Sequence, residues 1–206
     1  MPNEVVKCFN CPQNDSAFKC VGDFSCNSID TQDVVHVVRT QIIASLKWVY
    51  KNHYDLITRE INEVCIVSYF WHYFIKRFLT KHPMLNIDME YNKNGESAKR
   101  YGMGEQYARP DIIIHKRNCN KWNTVIFEFK SQWNQDGPEV DYQKLKNFTC
   151  ITADINEPWI YAYKCGVSVL FGKEEIILKW FHDGHQDTTI DKINTSDWMI
   201  NQVESV

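Results

Sequence analysis

Two short apolar runs, each interrupted by a carboxylate, constrain this chain more than any other feature of its sequence. The first run spans 109–114 (Arg-Pro-Asp-Ile-Ile-Ile), and the second spans 124–130 (Thr-Val-Ile-Phe-Glu-Phe-Lys). Branched and aromatic residues in this arrangement predict two adjacent β-strands. Because side chains alternate between the faces of a strand, Glu128 and Lys130 are predicted to share one face, with Asp111 close to them.

The predicted proximity of Asp111 and Glu128 indicates a site for a hard cation. A buried acid pair beside an ammonium group is costly unless a hydrogen-bonded ion pair or a cation compensates for it. Mg²⁺ or Mn²⁺ suits oxygen ligands of this kind. The alternative is a salt bridge from Glu128 to Lys130 along an exposed strand face, which would contribute little to stability. That alternative leaves unexplained why acids occupy two apolar strands.

The Pro110-Asp111 pair and the Glu128-Phe129-Lys130 triplet resemble the signature of the PD-(D/E)xK nuclease superfamily. No second Pro-Asp pair and no second acid-x-Lys triplet occurs in the chain. The resemblance implies an α/β, restriction-endonuclease-like core, a central mixed β-sheet flanked by helices, and Mg²⁺-dependent hydrolysis of phosphodiesters. It also implies that Asp111, Glu128 and the Phe129 carbonyl bind the metal while Lys130 acts in catalysis.

A predicted helix upstream of these strands supplies one more acid. Apolar residues recur there at three- and four-residue spacing, and the predicted inward stripe is Val64, Val67, Trp71, Phe74 and Phe78. Pro83 is predicted to stop this helix. Glu63 borders the stripe, as the helix carboxylate of the superfamily's active site does, and is therefore a candidate catalytic and metal-binding residue. Two alternatives stay open: Glu63 as a solvated first-turn acid, and Glu60 as the helix carboxylate.

The remaining pattern predicts one domain over residues 31–206, and the resemblance implies that this domain is nuclease-like. A chain of 206 residues that is 44% hydrophobic can bury a substantial core. The other predicted elements are a helix over 33–51, a strand over 87–91, a helix over 139–148, and a hairpin of 167–171 with 175–181 that turns at Gly172-Lys173. This order of elements is the one that the resemblance implies.

Nucleic acid is the predicted partner, with DNA favoured over RNA. The net charge of −3 argues against a generally basic surface, although a local cleft can still bind phosphates. Candidate phosphate contacts near the two central strands are Arg100, Arg109 and Lys116. Acids interleave with these residues, so an ordinary mixed-charge surface is an equal alternative.

Gln143 is a further candidate for nucleic-acid binding. Its position in the predicted 139–148 helix resembles the Gln of the Gln-x-x-x-Tyr element in some exonuclease branches. Asn147 stands where that element has Tyr. A solvated helix face is therefore the better interpretation of Gln143.

Residues 1–30 are predicted to form a separate Cys-rich N-terminal arm. Cys8 and Cys11 make a C-x2-C knuckle, and Cys20 and Cys26 follow at spacings that could close a tetrahedral Zn²⁺ site. The arm has no second C-x2-C pair. Free thiols are the alternative, and disulfides are less favoured in a reducing compartment.

A cytoplasmic protein with no membrane contact is expected. No basic segment followed by an apolar one opens the chain, and charges interrupt its most apolar helix too often for a membrane span. The expected activity is that of a metal-dependent DNA endonuclease in restriction, phage defence or a mobile element, acting as a homodimer if it makes double-strand breaks. The alternative is a catalytically inactive module of the same fold that binds nucleic acid or another protein.

Overall fold

The computed structural model describes seven stretches of the chain, namely residues 31–80, 82–83, 85–94, 97–102, 106–117, 122–152 and 161–199. The predicted Cys-rich arm, with its four candidate zinc ligands, lies outside the described residues. Structural zinc in that arm therefore stays a prediction.

Four helices occur in the described stretches: α1 Thr31–Thr58, α2 Glu63–Leu79, α3 Glu139–Thr149 and α4 Ser196–Met199. The α1 helix is kinked at His53, whose backbone angles are not helical. The α2 helix ends before Pro83. In none of the described helices is there an apolar stretch long enough to span a membrane.

The buried stripe of α2 differs from the predicted one. It consists of Ile66, Val67, Phe70, Phe74 and Phe78. Val64 was predicted to face inward, but its side chain is 56% exposed. The stripe is rotated toward Ile66 and Phe70 because the rings of Phe70 and Phe74 pack against the central sheet at Phe127. This rotation leaves Val64 on the solvent side of the first turn.

Ten strands occur in the described stretches: β1 Asn86–Met89, β2 Lys93–Asn94, β3 Ser97–Ala98, β4 Arg100–Tyr101, β5 Gln106–Tyr107, β6 Ile112–His115, β7 Val125–Ser131, β8 Cys165–Phe171, β9 Glu175–His182 and β10 His185–Asn194. Six of them form one sheet in the order β1-β6-β7-β8-β9-β10. The β7–β8 pair is parallel and the other pairs of this sheet are antiparallel. The expected α/β architecture with a mixed central sheet is confirmed.

The β8–β9 hairpin is confirmed with one correction, and the strand after it was not predicted. The Gly172 N–H donates to the Glu175 carbonyl at 3.0 Å, so Lys173 and Glu174 form the turn, one residue later than expected. The β10 strand lies at the edge of the sheet, and most of its side chains are exposed or half-buried. An edge strand of this kind lacks the apolar alternation that predicts strands.

The β7 strand lies inside the sheet and is covered on both faces. Val125, Phe127 and Phe129 belong to a core that includes α1 and α2. Ile126 belongs to a second core, which includes Leu145 of α3. Because side chains alternate along a strand, Glu128 and Lys130 face α3 together with Ile126.

Candidate active site

The edge of β7 is open toward its C-terminal end. The pairing of β6 with β7 ends at Ile112 opposite Phe127, so the N–H groups of Phe129 and Ser131 lie beyond it. Carboxylates accept both N–H groups: Asp111 Oδ2 from Phe129 at 2.7 Å, and Glu63 Oε2 from Ser131 at 2.7 Å. Two acids from different elements therefore replace a strand at this edge.

Local structure explains how Asp111 and Glu63 reach β7. Asp111 directly precedes β6, and its carbonyl accepts a hydrogen bond from the Glu90 N–H at 3.0 Å. Glu63 is the first residue of α2, where the Asn62 side chain caps the helix by accepting from the Val64 N–H at 3.0 Å. A small cleft between these elements is lined by Glu63, Val64, Val67, Met89, Glu90 and Asp111.

Glu128 lies on the α3 side of β7 and is only 3% exposed. Its Oε2 atom lies 3.4 Å from the Lys144 ammonium. Its Oε1 atom is buried and has no hydrogen-bond partner among the described residues. Burial raises the pKa of Glu128 well above its usual value, and Asp111 raises it further while Lys144 opposes the rise. A buried carboxylate oxygen without a partner is costly, and a bound cation would remove that cost.

Two lysines meet at Asp141 in the first turn of α3. Lys130 Nζ lies 3.2 Å from Asp141 Oδ2, and Lys144 Nζ lies 2.8 Å from Asp141 Oδ1. Burial alone would lower the pKa of both ammonium groups, but neighbouring carboxylates raise it, Asp141 at Lys130 and Glu128 with Asp141 at Lys144. The alternative interpretation, an exposed salt bridge between Glu128 and Lys130, is therefore wrong. Glu128 is buried, and Lys130 pairs with Asp141.

Asp141 and Lys144 are not among the site residues that the sequence predicts. A signal for Asp141 was present, since it precedes Leu145 by four residues and Phe148 by seven, on the buried stripe of α3. An acid on an inward stripe needs a partner. Lys144 gave no comparable signal, because its contact with Glu128 depends on how α3 packs against β7.

Negative charge is concentrated around the open edge of β7. The pKa of Asp111 is raised to about 6, first by burial and then by Glu63 and Asp141, although the hydrogen bond from Phe129 and the charge of Lys144 oppose the rise. Burial also raises the pKa of Glu63, which the Ser131 N–H and Lys130 counteract. Like charges in one partly buried place disfavour ionisation, and a cation among them would reverse that effect.

Glu63 and its rival Glu60 lie in different surroundings. Glu63 is half-buried and bound to Ser131, so it is not a solvated first-turn acid. Glu60 instead forms an exposed ion pair with Lys173, with an Nζ to Oε1 distance of 2.8 Å.

The candidate nucleic-acid contacts are spread over the surface. Arg109 pairs at 3.4 Å with Glu90, which lines the cleft beside Asp111. Lys116 follows the far end of β6, roughly 17 Å from Asp111 at about 3.4 Å per residue. Its ammonium lies 5.9 Å from the centre of the Trp122 ring.

Two other candidates lie on the α3 side of the sheet. The Arg100 guanidinium stacks over Tyr107, 4.6 Å from the ring centre. Gln143 is exposed on α3, in line with the solvated helix face. Asn147, which replaces the expected Tyr, accepts a hydrogen bond from the Gly102 N–H at 2.6 Å. Asn147 therefore has a structural role between α3 and the β4 strand.

The donor set fits a hard cation such as Mg²⁺. Asp111, Glu128 and Glu63 offer carboxylate oxygens, and the Phe129 carbonyl points to the same edge as its N–H, which Asp111 holds. In the described part of the chain, no three His, Cys, Asp or Glu side chains are already gathered as a metal-binding group. Asp111 and Glu63 each use one oxygen for the backbone of β7, so the second oxygen is the one each could offer to a cation.

No family model, curated protein or solved structure matches this chain. The chemistry of the site is therefore the basis for a function. A function has to explain three acids, two lysines beside them, and a Glu128 oxygen that has no hydrogen-bond partner in the described part of the chain.

Proposed function

We propose that this protein is a Mg²⁺-dependent nuclease of the PD-(D/E)xK type that hydrolyses phosphodiester bonds, in DNA rather than RNA. One observation carries the proposal: Glu128 is buried, and its Oε1 atom has no hydrogen-bond partner among the described residues. Asp111 is near enough to raise the pKa of Glu128, and Lys130 shares its strand face. A protein that used these strands only as a scaffold would have no need of a buried carboxylate oxygen without a partner, which costs free energy.

A restriction-endonuclease-like core is part of the same proposal. The order of elements supports it: α2 with Glu63, then β1, β6 preceded by Asp111, β7 with Glu128 and Lys130, α3, and the β8–β9 hairpin. Two of the acids, Asp111 and Glu63, come from different elements and bind the same edge of β7, while Glu128 lies on the α3 face of that strand. Such convergence is unusual for surface charge, because each of the two acids gives up solvation to reach the edge.

The proposed metal ligands are Asp111, Glu128, Glu63 and the Phe129 carbonyl. Mg²⁺, or Mn²⁺ in its place, would polarise the scissile phosphate and lower the pKa of a water molecule. Lys130 would orient the attacking water or stabilise charge that develops on the phosphoryl oxygens. The Lys130 ammonium lies on the α3 side of β7, where it pairs with Asp141. Glu63 instead binds the edge of β7 at the Ser131 N–H.

Phosphate binding would be local, since the chain has a net charge of −3. Arg109 is the best placed of the candidates, because its partner Glu90 lines the cleft beside Asp111. Arg100 with Tyr107 offers a cation and a ring on the α3 side. The proposal gives Lys116 and Gln143 no role in holding the scissile phosphate.

A cleavage assay tests the proposal directly. Supercoiled DNA, linear DNA and RNA are incubated with Mg²⁺, Mn²⁺, Ca²⁺ or EDTA, using wild type, Glu128→Gln and the exposed control Glu174→Gln. Mg²⁺ and Mn²⁺ should support cleavage by wild type and the control, and Ca²⁺ should bind without supporting it, since it orders its ligands loosely. Glu128→Gln should be inactive.

Two results would count against this proposal in different ways. Undiminished cleavage in excess EDTA would remove the metal from the reaction. DNA binding in Ca²⁺ without cleavage under any condition would favour the alternative, an inactive nucleic-acid-binding module of the same fold.

A further inference from the structure

Asp141 holds a different lysine with each of its two oxygens. Lys130 approaches Oδ2 from β7, and Lys144 approaches Oδ1 from one turn further along α3. Asp141 is only 5% exposed, so water competes weakly for these contacts. The ion pair of Lys130 therefore depends on Asp141, whereas Lys144 also contacts Glu128 Oε2.

Lys130 has a second potential partner within reach. Glu128 lies two residues away on the same face of β7, so their side chains start about 7 Å apart. The flexible four-carbon stem of a lysine spans that distance. The Oε1 atom of Glu128 is buried and unpartnered in the described structure, whereas its Oε2 atom contacts Lys144. Nothing in the strand geometry itself keeps Lys130 off Oε1.

We propose that Asp141 is a positioning residue that holds the ammonium of Lys130 away from Glu128 Oε1 and so leaves that oxygen open to a divalent cation. The inference rests on the proposed function, because it concerns the same metal site. Asp141 itself binds no metal in this scheme. Its role is to give Lys130 a better partner than Glu128.

The charges around Asp141 determine how its substitution should change the affinity for a cation. Loss of its negative charge would free Lys130 to pair with Glu128, and the ammonium would then compete with a cation for Oε1. The same loss would make the surroundings less negative, which also weakens cation binding. Both effects lower metal affinity, but only the first depends on Lys130. A double-mutant comparison separates them.

The experiment measures Ca²⁺ binding by titration calorimetry, at fixed pH and ionic strength, without DNA. The variants are Asp141→Asn, Lys130→Met and the double variant, with Glu139→Gln as the control. Glu139 is an exposed acid in the same helical turn as Asp141. Thermal unfolding in EDTA checks that each variant is folded.

Asp141→Asn should lower Ca²⁺ affinity by about 10- to 100-fold, the usual effect of changing a group that supports metal ligands. The double variant should bind within about threefold of Lys130→Met, because the competing ammonium is gone. Glu139→Gln should bind like wild type.

Three other results would contradict the positioning role of Asp141 or the proposed metal site. An equal loss from Asp141→Asn in both backgrounds would show that only its charge matters and would overturn the positioning role. Wild-type affinity in Asp141→Asn would overturn it as well, while leaving the proposed nuclease intact. Failure of wild type to bind Ca²⁺ would overturn the proposed metal site and this inference with it.

Discussion

Asp111 accepts a hydrogen bond from the Phe129 N–H at 2.7 Å. One proposed metal ligand therefore also satisfies a backbone N–H at the edge of β7, the strand that carries Glu128. The same carboxylate is crowded by burial and by Glu63 and Asp141, which raise its pKa to about 6. The hydrogen bond that Asp111 accepts thus stabilises the fold, whereas its partly buried negative charge destabilises the fold. These two contributions can be separated by experiment.

Asp111→Asn should stabilise the metal-free protein at neutral pH and leave it unchanged in acid. Asparagine keeps an oxygen that can accept from Phe129 but carries no charge. The pKa of Asp111 rises from 3.8 to about 6 on folding, so the folded protein holds the proton more tightly and loses stability as pH rises through that interval. At about 1.4 kcal/mol per pKa unit, the free energy of unfolding of the variant should exceed that of wild type by on the order of 3 kcal/mol at neutral pH.

Urea unfolding in EDTA, repeated between about pH 4 and pH 8, measures this gain. Asp136→Asn is the matched control, because Asp136 is an exposed acid in the loop after β7. A stability difference between Asp111→Asn and wild type that stayed constant with pH would contradict the assignment of the raised pKa to Asp111.

Glu63 should show separate structural and catalytic effects. Glu63→Ala leaves the N–H of the buried residue Ser131 without its acceptor, which should lower the free energy of unfolding by about 1–3 kcal/mol. Glu63→Gln keeps an acceptor and should recover most of that loss. If Glu63 is a metal ligand, both variants should cleave DNA poorly.

The rival residue Glu60 is the natural control for this prediction. Its ion pair with Lys173 is exposed, so Glu60→Gln should change stability by less than about 1 kcal/mol and leave cleavage intact. Unfolding and cleavage are measured on the same preparations. A loss of cleavage in Glu60→Gln with none in Glu63→Gln would reverse the assignment of the helix carboxylate.

The sequence predicted the strands and helices whose apolar spacing is regular. The β7 strand and α3 followed from their patterns, and the shared face of Glu128 and Lys130 followed from strand alternation. The rotation that exposes Val64 did not, because it depends on the rings that α2 packs against the sheet. The contact between Lys144 and Glu128 did not either, since it joins a helix and a strand through tertiary packing.

A single zinc ion per chain stays the prediction for the N-terminal arm. Thiolates at Cys8, Cys11, Cys20 and Cys26 would bind it tetrahedrally. Metal analysis of protein purified without chelator measures the zinc content, with Cys8→Ser/Cys11→Ser as the variant expected to lose the metal. Cleavage should survive in that variant, because the proposed catalytic acids lie on other elements. Zinc-free wild type would contradict the zinc site and leave free thiols as the favoured state of these cysteines, ahead of disulfides.

Lys130→Ala should abolish cleavage while leaving the fold and DNA binding largely unchanged. Stability should fall by little, because Asp141 keeps Lys144 at 2.8 Å after Lys130 is removed, so no buried acid is left alone. Cleavage should fall by about 100-fold or more, because the ammonium is proposed to act on the attacking water or on charge that develops in the transition state.

Melting temperature, DNA affinity in Ca²⁺ and cleavage in Mg²⁺ together decide the role of Lys130. Lys192→Ala on β10 is the control, since Lys192 is an exposed lysine on the edge strand. If Lys130 served only to pair with Asp141, its removal would lower the melting temperature slightly and leave cleavage as in the control. A Lys130→Ala protein that cuts DNA like wild type would therefore remove Lys130 from the mechanism, and the catalytic ammonium would have to be sought at Lys144.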